Sequence, residues 1–126
     1  MNKPLRYSIL TAACLAVAIF TFAQSNNDPL DSLKLNPDTQ KLVFENQFVR
    51  VIDNTVPVGV TEPMHHHPHG VVVYLSDGKN ETTTQDGKTT VSVHSADTAV
   101  WSEPTIHSVK NVGTAPTHTI RIDVKY

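Results

Sequence analysis

Four of the seven histidines of this chain lie within five positions, in the segment TEPMHHHPHG at residues 61–70. Imidazole nitrogens bind zinc, copper, nickel and iron, so such a cluster could form a metal site. It could also be a purification tag or a polar loop. A tag normally sits at a terminus, whereas this run lies in mid-chain and is followed at once by the apolar run VVVYL. The tag is therefore a weak interpretation, and the choice between the other two depends on the surrounding structure.

The spacing of the histidines has a direct meaning if the segment is an extended strand. Successive side chains of a strand point to opposite faces, so His65 and His67 share one face and His66 lies on the other. Two imidazoles at positions i and i+2 can bind a single ion. His69 has the same parity, although Pro68 removes a backbone donor and can turn the chain between them.

The elements that surround this segment are predicted to be strands. Short runs rich in Val, Ile, Thr and aromatic residues alternate with turn residues, and no window favours a long amphipathic helix. These runs are KLVFEN, FVRVIDNTV, VVVYL, ETTTQ, KTTVSV, TAVW and THTIRIDVKY. The dipeptides Asp77-Gly78 and Asp86-Gly87 are predicted to reverse the chain in tight hairpins. About seven strands in this length predict an all-β sandwich or barrel.

The N-terminal residues 1–23 have the pattern of a secretory signal peptide. Two basic residues precede an uncharged apolar run, and Thr21 and Ala23 fit a cleavage site after Ala23. A retained signal anchor and a lipid-modified Cys14 are the alternatives. Cleavage removes Cys14, the only cysteine, so the mature chain cannot form a disulfide. A secreted or periplasmic protein without stable membrane insertion is predicted.

The mature chain of 103 residues has the size of one domain. Residues 24–40 are predicted to be a polar leader with at most one short helical turn, and residues 41–126 to be the barrel. Cleavage removes two of the 10 basic residues and none of the 12 acidic ones, which changes the formal net charge from −2 to −4. This balance excludes a basic nucleic-acid footprint. No Ser-His-Asp spacing, phosphate-binding loop or redox cysteine pair is present in the mature sequence.

Two segments resemble the conserved motifs of the cupin superfamily. In GVTEPMHHHPHGVVVYLSDG, Gly59, His65, His67 and Gly78 match the first motif, while Val71 stands where a glutamate is usual. In PTIHSVKN, His107 and the asparagine four residues later match the end of the second motif. The second motif also has departures, at Ala96, Ser102 and Pro104. The resemblance covers residues 41–126 and implies a small jelly-roll β-barrel that is often a homodimer.

The same resemblance implies a metal site. Its ligands would be His65, His67 and His107, with the usual carboxylate lost at Val71 and His69 as the candidate fourth ligand. The metal would be a divalent transition metal, and Fe, Mn, Zn, Ni and Cu all remain open. Three-histidine sites occur among cupins, including dioxygenases, so the missing glutamate does not exclude a metal. The alternative is a metal-free barrel in which the histidines line a polar pocket.

Two classes of function follow from the resemblance. The first is a metal-dependent enzyme of dioxygenase or isomerase type that acts on a small organic molecule. The second is a non-catalytic module that binds a small ligand or a partner protein. The histidine set favours the first, and the small size of the chain favours the second. No residue pattern names a substrate.

The remaining histidines and aromatic residues receive simpler predictions. His94 is predicted to be a surface or turn residue at a strand end. His118 shares parity with Ile120 and Ile122 and is predicted to be a hydrogen-bonded core residue. Tyr74 and Trp101 fit barrel packing, and Tyr74 is the candidate acid or hydrogen-bond donor.

Overall fold

The structure, a computed structural model, describes residues 28–126, and the predicted signal peptide lies outside this range. It contains one helical turn and nine strands. They are α1 Ser32–Leu35, β1 Gln40–Glu45, β2 Val49–Val56, β3 Thr61–His67, β4 Gly70–Tyr74, β5 Gly78–Thr84, β6 Thr89–His94, β7 Thr98–Ser102, β8 Thr105–Asn111 and β9 Thr117–Val124. No helix in residues 28–126 has the length and apolar character needed to span a membrane.

The strands form two antiparallel sheets that face each other. The five-stranded sheet has the order β1-β2-β9-β4-β7, and the four-stranded sheet has the order β3-β8-β5-β6. Most neighbours in each sheet are distant in sequence, because the chain crosses repeatedly between the two layers. The predicted all-β jelly-roll barrel is therefore confirmed.

The described part of the leader packs on the barrel. Asp31 caps α1 by accepting a hydrogen bond from the backbone of Leu33, and both of its oxygens contact the guanidinium of Arg50. Ser32 and Asn36 are buried. The predicted helical turn is present, and the segment it belongs to is held by a cap and an ion pair.

The two predicted Asp-Gly turns differ. Gly87 has a φ of +83° and closes the hairpin between β5 and β6, as predicted. Asp77-Gly78 instead leads from β4 in one sheet to β5 in the other, so it does not form a hairpin between paired strands. A side chain at Gly78 would meet Thr117 Cγ2 at 2.5 Å, which explains the glycine by close approach rather than by turn conformation.

Strand β8 was not among the strand-like runs recognised in the sequence, although it lies inside the four-stranded sheet. It pairs with β3 on one side and β5 on the other. Asn111 at its end is fully buried and closes the connection to β9, donating to the carbonyls of Val56 and Ala115 and accepting from Gly113. The second motif therefore lies on a central strand.

The interior of the barrel is polar. Only Ile52 and Val56 are buried hydrophobic residues in the described chain, whereas ten buried residues are polar or charged. The space between the sheets is a cavity of about 210 Å³ that both sheets line. The interior of the barrel is therefore a cavity with buried polar groups in its lining rather than a closely packed apolar core.

Candidate metal centre

Strands β3 and β8 bring three histidines together inside the cavity. His65 pairs directly with His107 across the two strands, and His67 lies two residues further along β3. The ligand nitrogens of the three rings all lie within 4.8 Å of one another. Nitrogens held about 2.1 Å from one metal ion lie roughly 3 to 3.5 Å apart, so small side-chain rotations would bring them to bonding distance.

The parity prediction for this strand is correct. His65 and His67 are 1% and 4% exposed, whereas the His66 side chain is 39% exposed and lies 3.4 Å from Asp28. His66 faces away from the cavity.

Hydrogen bonds orient two of the three rings. His65 Nδ1 lies 2.7 Å from the carbonyl oxygen of Pro63, which can only accept, so Nδ1 carries the proton. Its Nε2 is buried and has no hydrogen-bond partner in the described structure. His67 Nδ1 lies 3.5 Å from Asp123 Oδ2, so its Nε2 is also left for another partner. An unpaired buried nitrogen beside two other imidazoles fits a metal ligand, whose second nitrogen typically contacts a carbonyl or carboxylate.

The environment keeps two of these rings neutral. Burial lowers the pKa of His67 to about 4, assisted by the charge of Arg121, against the raising effect of Asp123. Burial and the neighbouring histidines lower the pKa of His107 to about 3. Neutral imidazole is the form that binds metals, so the lone pairs are available at neutral pH.

A buried ion pair supports the cluster from the five-stranded sheet. Arg121 Nε donates to Asp123 Oδ1 at 2.5 Å, and the rest of its guanidinium contacts Ser102 Oγ and the carbonyl of Pro68. Burial alone would raise the pKa of Asp123, but the hydrogen bond from His67 and the charge of Arg121 outweigh it and hold the pKa below its usual value. Asp123 therefore remains an anion that orients His67.

A bulge in β3 adds a carboxylate to the same cavity. Glu62 pairs with Val109 and His65 pairs with His107, so between these pairs two residues of β3 oppose one of β8. The extra residue reverses the alternation, and Glu62 faces the cavity together with His65 despite its opposite parity. Pro63 lies in this bulge, where the absence of its N–H does no harm.

His69 is not brought to the cluster. Its side chain is 43% exposed, its Nδ1 lies 3.1 Å from Glu103 Oε2, and its ring stacks on Trp101 with a centroid distance of 5.9 Å. The parity count from His67 fails because the chain leaves β3 at Pro68 and enters β4 in the other sheet. The described structure gives His69 no place beside the other three rings.

The predicted placement of Val71 at the site is wrong for the same reason. Val72 and Tyr74 line the cavity, while Val71 pairs with Ile122 and Trp101 on the outer face of the five-stranded sheet. Of the cavity-facing residues of this strand, Val72 lies opposite Arg121 in the sheet.

This geometry predicts different effects for two carboxylate substitutions. Val72→Glu should strengthen binding of iron or manganese by at least about tenfold, the scale that even outer-shell partners contribute, because it adds an anion on the cavity side. Val71→Glu should leave metal affinity unchanged because it points outward. Titration of both variants with manganese checks this, and equal effects would contradict the assignment of the faces.

The depressed pKa values predict that the metal-free protein loses stability in acid. The unfolded chain binds protons below pH 6.5, whereas folded His67 and His107 resist protonation until about pH 4 and 3. The histidine contribution is therefore complete above pH 6.5 and is lost as the pH falls toward 4 and below. Each unit of depression corresponds to roughly 1.4 kcal/mol, so we expect a loss of several kcal/mol. Urea denaturation across this range measures it, and His107→Gln should flatten the slope.

Three other predictions about aromatic residues and histidines need comment. Tyr74 lines the cavity, where burial raises its pKa, so it remains a candidate donor. His94 is not a surface residue: it lines the cavity, stacks on Tyr74 at 4.1 Å, and burial lowers its pKa. His118 is hydrogen-bonded, as predicted, but to Asp53 and with a side chain 40% exposed rather than in the core. Trp101 is half exposed on the outer face.

Sequence reasoning missed Glu62, Arg121 and Asp123. The apolar Ile120 and Ile122 were expected to face inward, but Arg121 and Asp123 do so, because the interior is the polar side of β9. For Glu62, the proline one residue later was a signal for a bulge. For Arg121 and Asp123, the signal was the alternation of charged and apolar residues, which is equally compatible with either face inward.

Comparison with known proteins gives matches only among solved structures. Neither protein families nor curated proteins match the sequence. A cupin domain from Bordetella pertussis Tohama I superposes with a TM-score of 0.64 at 22% identity, covering 69% of this chain and 92% of that chain. A double-stranded β-helix protein from Klebsiella pneumoniae gives a TM-score of 0.55 at 19% identity, covering 68% and 70%.

A third match comes from an archaeon. A cupin family protein with a double-stranded β-helix fold from Methanocaldococcus jannaschii gives a TM-score of 0.55 at 11% identity, covering 68% of this chain and 77% of that chain. At these identities the likeness establishes the fold. The chain has the cupin fold, as the resemblance of its two motifs predicted, and it carries a three-histidine cluster inside the barrel.

Proposed function

We propose that this protein binds a divalent transition metal through His65, His67 and His107. The observation that carries the proposal is the buried Nε2 of His65, which has no hydrogen-bond partner while its Nδ1 is fixed by a carbonyl. Three nitrogen ligands suit iron, zinc, copper or nickel and leave coordination positions open for water or a small molecule. A metal bound there would supply Lewis-acid or dioxygen chemistry.

The mature, untagged protein should bind about one transition-metal ion per chain near neutral pH. Zinc and iron(II) titrations by calorimetry, with elemental analysis of the purified protein, measure the stoichiometry. A polyhistidine tag must be absent because it binds the same metals. Failure to take up any transition metal would overturn the proposal.

We propose that the cavity takes a small organic molecule. A volume of about 210 Å³ and a lining of hydroxyl, amide and imidazole groups fit a small polar ligand. Tyr74 and His94, stacked in this cavity, are the groups that would exchange protons with it. The enzymatic interpretation rests on these groups together with the metal. The alternative is a binding module that uses the same cavity without turnover.

We also propose that the chain is exported and forms a homodimer. Export rests on the sequence of residues 1–23. The dimer rests on an apolar row across the outer face of the five-stranded sheet, formed by Val51, Ile122, Val71 and the half-exposed Trp101. Sedimentation equilibrium at high protein concentration tests the dimer, and N-terminal sequencing of the exported protein tests the cleavage site.

A further inference from the structure

The side of the cavity where β1 and β2 meet β3 carries three polar residues and is here called the acceptor wall: Gln40, Asn54 and Glu62. At its centre, the Glu62 carboxylate is 2% exposed. It accepts hydrogen bonds from Thr39 Oγ1 at 2.5 Å, Gln40 Nε2 at 3.1 Å and Asn54 Nδ2 at 3.4 Å. A carboxylate only accepts, so both amides must turn their NH₂ groups toward it.

This orientation leaves carbonyl oxygens without donors. Gln40 Oε1 and Asn54 Oδ1 are both buried and have no hydrogen-bond partner in the described structure. Gln40 is itself 6% exposed, so bulk water does not reach it. A buried acceptor without a donor is costly, and two of them beside one carboxylate point to a donor that comes from outside the protein.

The negative charge of the acceptor wall indicates which kind of hydrogen-bond donor would bind there. No lysine, arginine or histidine nitrogen in residues 28–126 lies within 4 Å of the Glu62 carboxylate, whereas Arg121 is already paired with Asp123. A buried carboxylate that has only neutral partners favours a cation beside it. A primary ammonium group brings one positive charge and three N–H donors, whereas a hydroxyl brings one donor and no charge.

We propose that the acceptor wall binds the ammonium group of a small primary amine. The cavity of about 210 Å³ has room for a short carbon chain beside the apolar side chains of Val72 and Val109. Only the position of the molecule's other end, directed toward the three histidines, rests on the proposed metal site. Recognition of the ammonium group does not depend on a metal.

The test uses two probes of matched size with the metal-free protein. Propylamine, which is an ammonium ion at neutral pH, should bind in a calorimetric titration, and propan-1-ol should not. Glu62→Gln should weaken propylamine binding by at least about tenfold, the scale of one hydrogen bond to a charged group. Glu81→Gln is the matched control, because Glu81 alternates with the cavity-lining Asn80 and Thr82 on β5 and faces outward.

Two further measurements separate a loss of the amine site from misfolding and from a loss of the metal site. Asn54→Ala removes an acceptor without removing the charge and should also weaken propylamine binding, which covers the case that Glu62→Gln does not fold. Zinc affinity of Glu62→Gln should stay within about threefold of the starting protein, a shift of less than 1 kcal/mol.

Absence of propylamine binding, or equal binding of propan-1-ol, overturns the proposal. The proposal is also overturned if Glu62→Gln loses zinc affinity while its propylamine binding is unchanged. In that case the Glu62 carboxylate would serve to balance the charge of the metal ion. Absence of zinc uptake alone contradicts the metal site and leaves the amine result standing.

Discussion

Replacing His67 with alanine should lower the zinc affinity by about 100-fold or more, whereas His66→Ala should change it by less than about threefold. His67 contributes a buried neutral imidazole that is held by Asp123, and its removal leaves two nitrogens, too few for a stable site. His66 is its neighbour in sequence, has the same chemistry and faces the other side of the strand. Competition titration with a chromogenic zinc chelator measures both variants.

His107→Ala should match His67→Ala, because its ring lies against the other two at centroid distances of 4.9 and 5.5 Å. His69→Ala is an informative companion, since His69 is exposed beside Trp101 and should behave like His66. Similar losses for His66→Ala and His67→Ala would show that the strand does not present alternate faces to the metal. A large loss for His69→Ala would show that the β3–β4 connection folds inward when metal is bound.

Asp123→Ala should destabilise the metal-free protein by about 3 to 5 kcal/mol, because it leaves the Arg121 guanidinium buried without its anion. The same change removes the carboxylate that orients His67, so zinc affinity should fall as well. Urea denaturation followed by circular dichroism gives the free energy of unfolding.

The partly exposed pair of Lys125 and Glu45 provides the control for this prediction. Lys125→Met removes an ion pair of similar length at the surface and should cost less than about 1 kcal/mol. An Asp123→Ala variant as stable as Lys125→Met would mean that water reaches Arg121, and that the interior is less closed than the structure shows.

The sequence predicts the fold of this protein better than it predicts the faces of its strands. Runs of β-branched residues mark most strands, and the two histidine motifs indicate the cupin fold, because both signals are local in the chain. The facing of β9 was wrong because the usual rule places Ile120 and Ile122 inside, and this barrel keeps charged residues inside instead. Alternation fixes which residues share a face but does not say which face is the interior.

The residues of the candidate site also divide into those that the sequence predicts and those that it does not. His65, His67 and His107 could be chosen because their spacing within each motif carries the information. His69 and Val71 could not be placed by counting, because the chain changes sheets at Pro68. His94 reaches the cavity through its stacking on Tyr74, a contact between residues twenty positions apart on opposite sheets, and no local pattern encodes such a contact.

The bulge in β3 keeps the Glu62 carboxylate on the same face of the strand as His65 and His67. Deletion of Met64 alone would restore regular alternation with Glu62 still facing the cavity, because Glu62 and His65 would then lie two residues apart and keep their partners on β8. Regular pairing of β3 without a deletion would instead turn Glu62 and the residues before it to the outer surface, so the bulge itself holds the carboxylate and the histidines on one face.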